Sequence, residues 1–272
     1  DGNEYFVIEE KEQYGQNAIE LLKVKPVIEI FNQFNGKIRQ LIGISATIPT
    51  FTPLFHEVEA KEKLTVIDTE KNNSNHHIFI PNDLVAVNSS SSQQYHAQIA
   101  SCIEQIYERK GGRMLVLMHS VEALLAVENL LEEFCHAHQV DLLAQKGPQM
   151  GRRIQRRFQD RNEAILLGVY SFWEGFDSGG QSIDSLVITK LPFPNPVTTG
   201  QQIIQLEMKE QGRSYFGHYA MKMMLLQLYQ GLGRFSRPHQ KNAEIWFLDV
   251  RASISKYSQK VKSVFPKNAT VI

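Results

Sequence analysis

The chain has 272 residues, 42% hydrophobic and 21% charged, enough to bury a core and too apolar for an intrinsically disordered chain. Its 29 Lys and Arg balance 29 Asp and Glu, so a polyanion partner must be met by a local patch and not by net charge. Two cysteines, Cys102 and Cys135, exclude a disulfide scaffold and a four-cysteine iron–sulfur cluster within the chain, and they fit a reducing, cytoplasmic setting. No apolar run nears the ~18 residues of a membrane span, and the N-terminal residues lack a signal-peptide pattern. Beginning at Asp1, the chain reads as part of a longer one.

Residues 27–35 read as a helix and 41–45 as a buried strand. The stretch 49–92 is weakly patterned, with polar loop material at 70–77 and 88–94, and reads as a crossing between two domains. A helix is predicted over 93–110, stopped by Gly111-Gly112. A short continuous apolar run at 113–119 has the pattern of a strand buried on both faces. Then follow a helix at 121–138, a strand at 141–145, a helix at 149–160 and strands at 164–170 and 185–189. A helix over 214–232 and a strand over 244–249 complete the pattern. Strands alternating with helices predict an α/β fold with a parallel sheet covered on both faces. Cys135, His136 and His138 are close in sequence, but their spacing puts them on different sides of a helix, so no metal site is predicted.

In such sheets ligands sit beyond the carboxyl ends of the strands. The loop at 171–177 (Ser-Phe-Trp-Glu-Gly-Phe-Asp) joins hydroxyl, backbone N–H groups, carboxylates and aromatics. That mixture suits a phosphate, a ribose or a stacked base. It equally suits a glycine turn with Trp173 as a packing plug. In the segment Gln230-Gly231-Leu232-Gly233-Arg234-Phe235-Ser236-Arg237-Pro238, Gln230, Arg234 and Arg237 stand at i, i+4 and i+7 and share one helix face. Gly231 and Gly233 each cost a helix ~1 kcal/mol relative to Ala, which predicts a close neighbour. Two arginines there can clamp a transferring phosphoryl group, or simply cap the negative end of the helix. Residues 146–161 hold Lys146, Arg152, Arg153, Arg156, Arg157 and Arg161 against Asp160 alone. With Ile154 and Phe158 facing inward, Arg152, Arg153 and Arg156 form either a phosphate-contacting ridge or a solvated face. Ser120, between a strand and a helix, reads as an N-cap whose helix end can also meet a backbone phosphate. No P-loop, nucleophile elbow or H-E-x-x-H motif is present.

Taken in order, six segments resemble the C-terminal half of the DinG/XPD family of superfamily 2 helicases. Ser45-Ala46-Thr47 looks like the family's SAT motif, 113–120 like its GRxLVLFTS strand and 171–177 like SFWEGVD. Residues 190–196 look like KLPFxxP, 230–237 like QGxGRLIR and 248–251 like LDxR. The likeness covers residues 40–265. Departures are Phe235-Ser236 for Leu-Ile, Phe176 for Val, Met118-His119 for Phe-Thr and Asn195 in the proline loop.

The resemblance implies a RecA-like second motor domain over 49–272, preceded by the tail of the first motor domain over 1–48. The P-loop, the DEAH-type Mg²⁺ box and any iron–sulfur cysteines would then lie upstream. ATP would bind, with Mg²⁺, between the two motor domains. Arg234 and Arg237 would contact its γ-phosphate and Gln230 would sense it. Glu174, Gly175, Asp177 and Gly233 would link nucleotide state to the track, with Ser45 and Thr47 coupling the domains. Ser120, Ser171, Phe172, Trp173, Arg152, Arg153 and Arg156 would hold single-stranded DNA. By family analogy the parent would be a 5′→3′ helicase. Two alternatives stand beside this: a nuclease whose motor half binds DNA, as in Gram-positive members with an exonuclease-like domain, and a nucleotide- or sugar-phosphate-binding module.

Overall fold

The computed structural model describes residues 6–13, 16–23, 76–84, 92–147, 150–169, 172–173, 176, 182–233, 243–266 and 269–272. The helix expected at 27–35 and the strand expected at 41–45 lie outside these residues. The chain divides into two compact units, residues 1–69 with 193–226 and residues 70–192 with 227–272.

In the larger unit the described strands form one parallel sheet of seven, in the order β5-β6-β4-β7-β8-β3-β9. They are β3 His77–Phe79, β4 Arg113–Leu117, β5 Asp141–Ala144, β6 Ala164–Gly168, β7 Ser185–Ile188, β8 Glu244–Phe247 and β9 Thr270–Val271. Every residue of β4, β6 and β7 is buried. This is why their sequences are continuous apolar runs: a parallel strand in mid-sheet has no solvent face.

Two helices cover one face. α1 (Ser92–Lys110) turns Tyr95, Ile99, Ile103, Ile106 and Tyr107 inward. α2 (Val121–Ala137) turns Leu124, Val127, Leu131 and Cys135 inward. They meet Met114, Val116, Ile165, Leu167 and Val187, alternate residues of the central strands, in one apolar cluster. Burial within that cluster pushes the Cys135 thiol up to about 11.

Chain reversals before β4 depend on glycine. Gly111 and Gly112 have φ of 63° and 75°. A Cβ at Gly112 would also lie 2.8 Å from Cγ of Asp184, whose carboxylate accepts from Arg113 N at 2.8 Å.

α3 (Gly151–Gln159) buries Ile154 and Phe158. The Arg113 guanidinium lies 4.6 Å from the Phe158 ring centroid, donating to Ser182 O at 3.0 Å and Phe158 O at 3.2 Å. The first arginine of the GRxLVL-like run is thus a structural clamp between β4 and α3.

In the smaller unit, β1 (Phe6–Gln13) and β2 (Gln16–Lys23) form an antiparallel hairpin. It also holds α4 (Thr199–Glu210) and the π-helical turn Phe216–Ala220. The single helix expected over 214–232 is thus a π-turn followed by α5 (Met221–Leu232). The hairpin, β3, α4, β9 and the short helices α6 (Arg251–Ile254) and α7 (Ser258–Lys262) were not anticipated. Among the described residues no helix is long and apolar enough to cross a membrane.

Candidate functional site

The carboxyl edge of the parallel sheet is where the motif residues gather, and a web of hydrogen bonds fixes it. Met118 N donates to Gly168 O at 2.8 Å and Gln145 N to Leu167 O at 3.0 Å. The side-chain oxygen of the fully buried Gln145 accepts from Val169 N at 3.0 Å. The Tyr95 hydroxyl of α1 donates to Thr189 O, and Thr189 Oγ1 donates to Leu117 O at 3.1 Å. Burial, first of all, raises the Tyr95 pKa far above its ordinary value, which keeps this donor protonated.

After β8, Asp249 is fully buried and accepts from Leu191 N at 2.8 Å, from Arg251 N at 3.0 Å and from both Nε and Nη2 of Arg251. Burial weighs against the Arg251 charge, but its bonds to Asp249 outweigh that and hold the guanidinium above its ordinary value. The pair ties the loop after β7 to the loop after β8. Sequence reasoning placed LDxR in the motif set but gave neither residue a role. The signal was available: a carboxylate directly after a buried strand with arginine two residues on.

Around this pair, burial and then the nearby Arg251 lower Lys190. Partial desolvation, and then the charges of Lys190 and His96, pull His119 down to about 4.

Ser120 stands at the N-cap of α2. Its backbone is extended (φ −153°, ψ 159°) and its Oγ accepts from Ala123 N at 3.1 Å. The cap role is thus present in the fold.

Phe172 and Trp173 are 2% and 3% exposed. Trp173 Nε1 donates to Met118 O at 3.1 Å, and its ring would lie 3.4 Å from a Cβ at Gly231. A Cβ at Gly168 would fall 2.5 Å from Cβ of Phe172, so Gly168 makes room for that ring. Phe172 also packs on Phe176, and Phe176 on Phe158. The stacking expected of Phe172 and Trp173 therefore has no exposed ring to rest on; both are core plugs because the strand end curls back over the sheet. Phe176, a departure from the motif, fills the same core.

Arg152, Arg153 and Arg156 are exposed on α3 and have no carboxylate partner among the described residues. Two of them lie in the first helical turn, where the helix dipole opposes positive charge. Gln230 is half-buried at the end of α5. The close neighbour expected at the glycines exists for Gly231, which faces Trp173 and Leu117. It does not for Gly233, where a Cβ would meet nothing within 4 Å among the described residues. Arg234, Arg237, Glu174, Gly175, Asp177, Ser171, Ser45 and Thr47 lie outside the described residues.

The family model described as the helicase C-terminal domain matches residues 103–268. The chain belongs to that family. Within it, this helicase domain is similar to the proteins described as 3′-5′ exonuclease DinG. That of Staphylococcus haemolyticus is 30% identical over 71% of this chain and 21% of that protein. That of Staphylococcus aureus strain MSSA476 is 29% identical over 81% of this chain and 25% of that protein. The helicase domain thus spans about a fifth to a quarter of these relatives' length. Among solved structures, an XPD helicase superposes with a TM-score of 0.54 at 16% identity, over 73% of this chain and 36% of that one. The Xpd4 structure of S. tokodaii gives 0.53 at 14%, over 99% and 61%. At such identities the likeness is one of fold, and it makes the sheet RecA-like. The DinG relatives and this shared fold agree with the resemblance read from the motifs.

Proposed function

We propose that this chain is the arginine-finger half of an ATP-dependent DNA motor of DinG type, with residues 1–48 the tail of the first motor domain and 49–272 the second. ATP and Mg²⁺ enter this reading as ligands of the missing motor domain. Gln230, Arg234 and Arg237 supply the opposing wall, the two guanidinium groups meeting charge on the γ-phosphate. Glu174, Gly175, Asp177 and Gly233 relay the nucleotide state, Ser45 and Thr47 couple the two domains, and Ser120, Ser171, Arg152, Arg153 and Arg156 hold single-stranded DNA by its phosphates.

The observation that carries this reading is Trp173. Its ring faces Gly231 in the QGLGRFSR segment, while its indole N–H holds the strand end that leads into Ser120. Three motif segments therefore meet on one side chain, and a displacement at the arginine end is felt at the DNA end. The α3 arginines support the track: charges set against a helix dipole, without partners among the described residues, have no local stabilising reason to be there.

The test is fluorescence anisotropy of a labelled single-stranded oligonucleotide against the 272-residue chain over a salt series. Binding that weakens with salt is expected. Replacing Arg152, Arg153 and Arg156 together by Gln should reduce the salt slope by about two to three, roughly one for each phosphate no longer neutralised. An unchanged slope removes these arginines from the track. ATP turnover by the chain should equal that of an Arg234→Ala control; DNA-stimulated turnover lost in that variant would overturn the assignment of the P-loop to a missing domain. A second reading is favoured by the name of the relatives: the parent is a 3′-5′ exonuclease whose motor half binds DNA. Labelled strands given to the intact parent, with and without ATP, separate shortening from unwinding.

A further inference from the structure

The strand pair β5–β6 ends unevenly. Asp141 N donates to Glu163 O at 3.4 Å and Gln145 N to Leu167 O at 3.0 Å, in the register that sets Ala144 beside Leu167. In a parallel ladder the next bond runs from the amide of residue 169 to the main-chain oxygen of residue 145. Here Val169 N donates instead to the side-chain oxygen of Gln145, at 3.0 Å. An amide side chain thus takes the place of one backbone rung. It keeps β6 tied to the sheet as far as Val169 while the main chain of β5 is released to turn.

The two chains then part. Beyond Gln145, Lys146 pairs with Glu128 of α2 at 3.0 Å, and α3 with its arginines begins at Gly151. Beyond Val169, Phe172 N returns to Val169 O at 3.0 Å, and Phe172 and Trp173 plug the core. Val169 is therefore held on both sides, at its N–H by Gln145 and at its carbonyl by Phe172. Gln145 is fully buried and Val169 1% exposed, so water does not replace this acceptor. An apolar side chain would fill the same space. Only an acceptor of this reach also fixes the direction in which β6 ends.

We infer that Gln145 is a positioning residue: its side-chain rung sets where the chain leaves β6 for residues 171–177 relative to the arginines of α3. The inference rests on the proposed function and deepens it, by naming what keeps the relay segment in register with the phosphate-contacting ridge.

Trp173 reports the position of that segment. In the full chain carrying Trp246→Phe, which keeps a ring on Phe79, Trp173 is the sole indole. Gln145→Met fills the space without the amide oxygen. Gln145→Glu, kept neutral by burial, retains an acceptor of the same reach. Gln145→Met should make Trp173 more accessible to acrylamide well below the urea transition, and weaken binding of a labelled oligothymidylate roughly tenfold. Gln145→Glu should restore both. A packing role alone would move only the urea midpoint. Quenching and affinity in Gln145→Met equal to those with Gln145 in place would therefore overturn the inference and leave the proposed function standing. If Gln145→Met does not fold, hydrogen exchange in the unaltered chain decides: a protected Val169 amide supports the rung, and an unprotected one overturns it. No binding of oligothymidylate by the unaltered chain would overturn the reading on which the inference rests, and the inference with it.

Discussion

Asp249 is a fully buried carboxylate whose oxygens are all engaged by Leu191 N and by Arg251, itself one-third exposed. Removing one member of such a pair strands the other, at about 3 kcal/mol. Asp249→Ala should therefore lower the urea midpoint by an amount equivalent to about 3 kcal/mol, and a variant that unfolds with wild type would remove the pair from the frame. His119, at the same edge, behaves oppositely to a paired histidine. Its folded pKa of about 4 lies below the ordinary 6.5, so the folded chain binds this proton less readily than the unfolded chain. Its contribution to stability is complete above pH 6.5 and is lost as pH falls towards 4. Comparing urea midpoints at pH 7.5 and 5.0, the fall should be smaller in His119→Gln than in wild type. An equal fall would assign the acid sensitivity to other groups.

Elements differ in how openly their sequences announce them. β4, β6 and β7 are legible because burial on both faces demands uninterrupted apolar residues, and α1 and α2 because each shows a spaced apolar stripe. β3 is not, since three residues carry no period, and α4 is not, since a helix that buries nothing has no stripe. α2 ends at Ala137, and Gln139, two residues on, turns the chain in a left-handed conformation (φ 56°) that a glycine would have advertised. The same ambiguity affects the site. An aromatic beside a glycine is written alike for a stacking platform and for a core plug, and only the fold decides for Trp173. Gly168, four residues before Phe172, was the available clue that a ring folds back there. Ser120 serves its element first: Ser120→Ala should cost about 1 kcal/mol of stability through the lost cap. Chemical denaturation measures that cost separately from any change in oligonucleotide affinity. A variant as stable as wild type would mean that another donor caps α2.

The larger unit as a whole is held together by pairings between distant parts of the chain. β3 enters the sheet only through β8 and β9. Its Phe79 ring stacks on Trp246 with centroids 4.1 Å apart, and Arg109 lies over both rings while pairing with Glu244 at 3.1 Å. Phe79→Ala should destabilise the unit by roughly 3 kcal/mol, seen as a lower thermal midpoint. A change within about 0.5 kcal/mol would show the stack to be peripheral. The alternation of strands and helices was enough to predict a parallel sheet, but not this insertion, because strand order follows from tertiary pairing that no local pattern encodes. It has a consequence in time. The partners of β3 lie about 170 and 190 residues further along the chain. At ~5–20 residues per second, a ribosome emits Ile78 and Phe79 roughly ten to thirty seconds before Ile245 and Trp246 exist to receive them. For that interval the nascent chain carries an orphan apolar strand, and its yield in the cell depends on what shelters that strand until synthesis reaches β8.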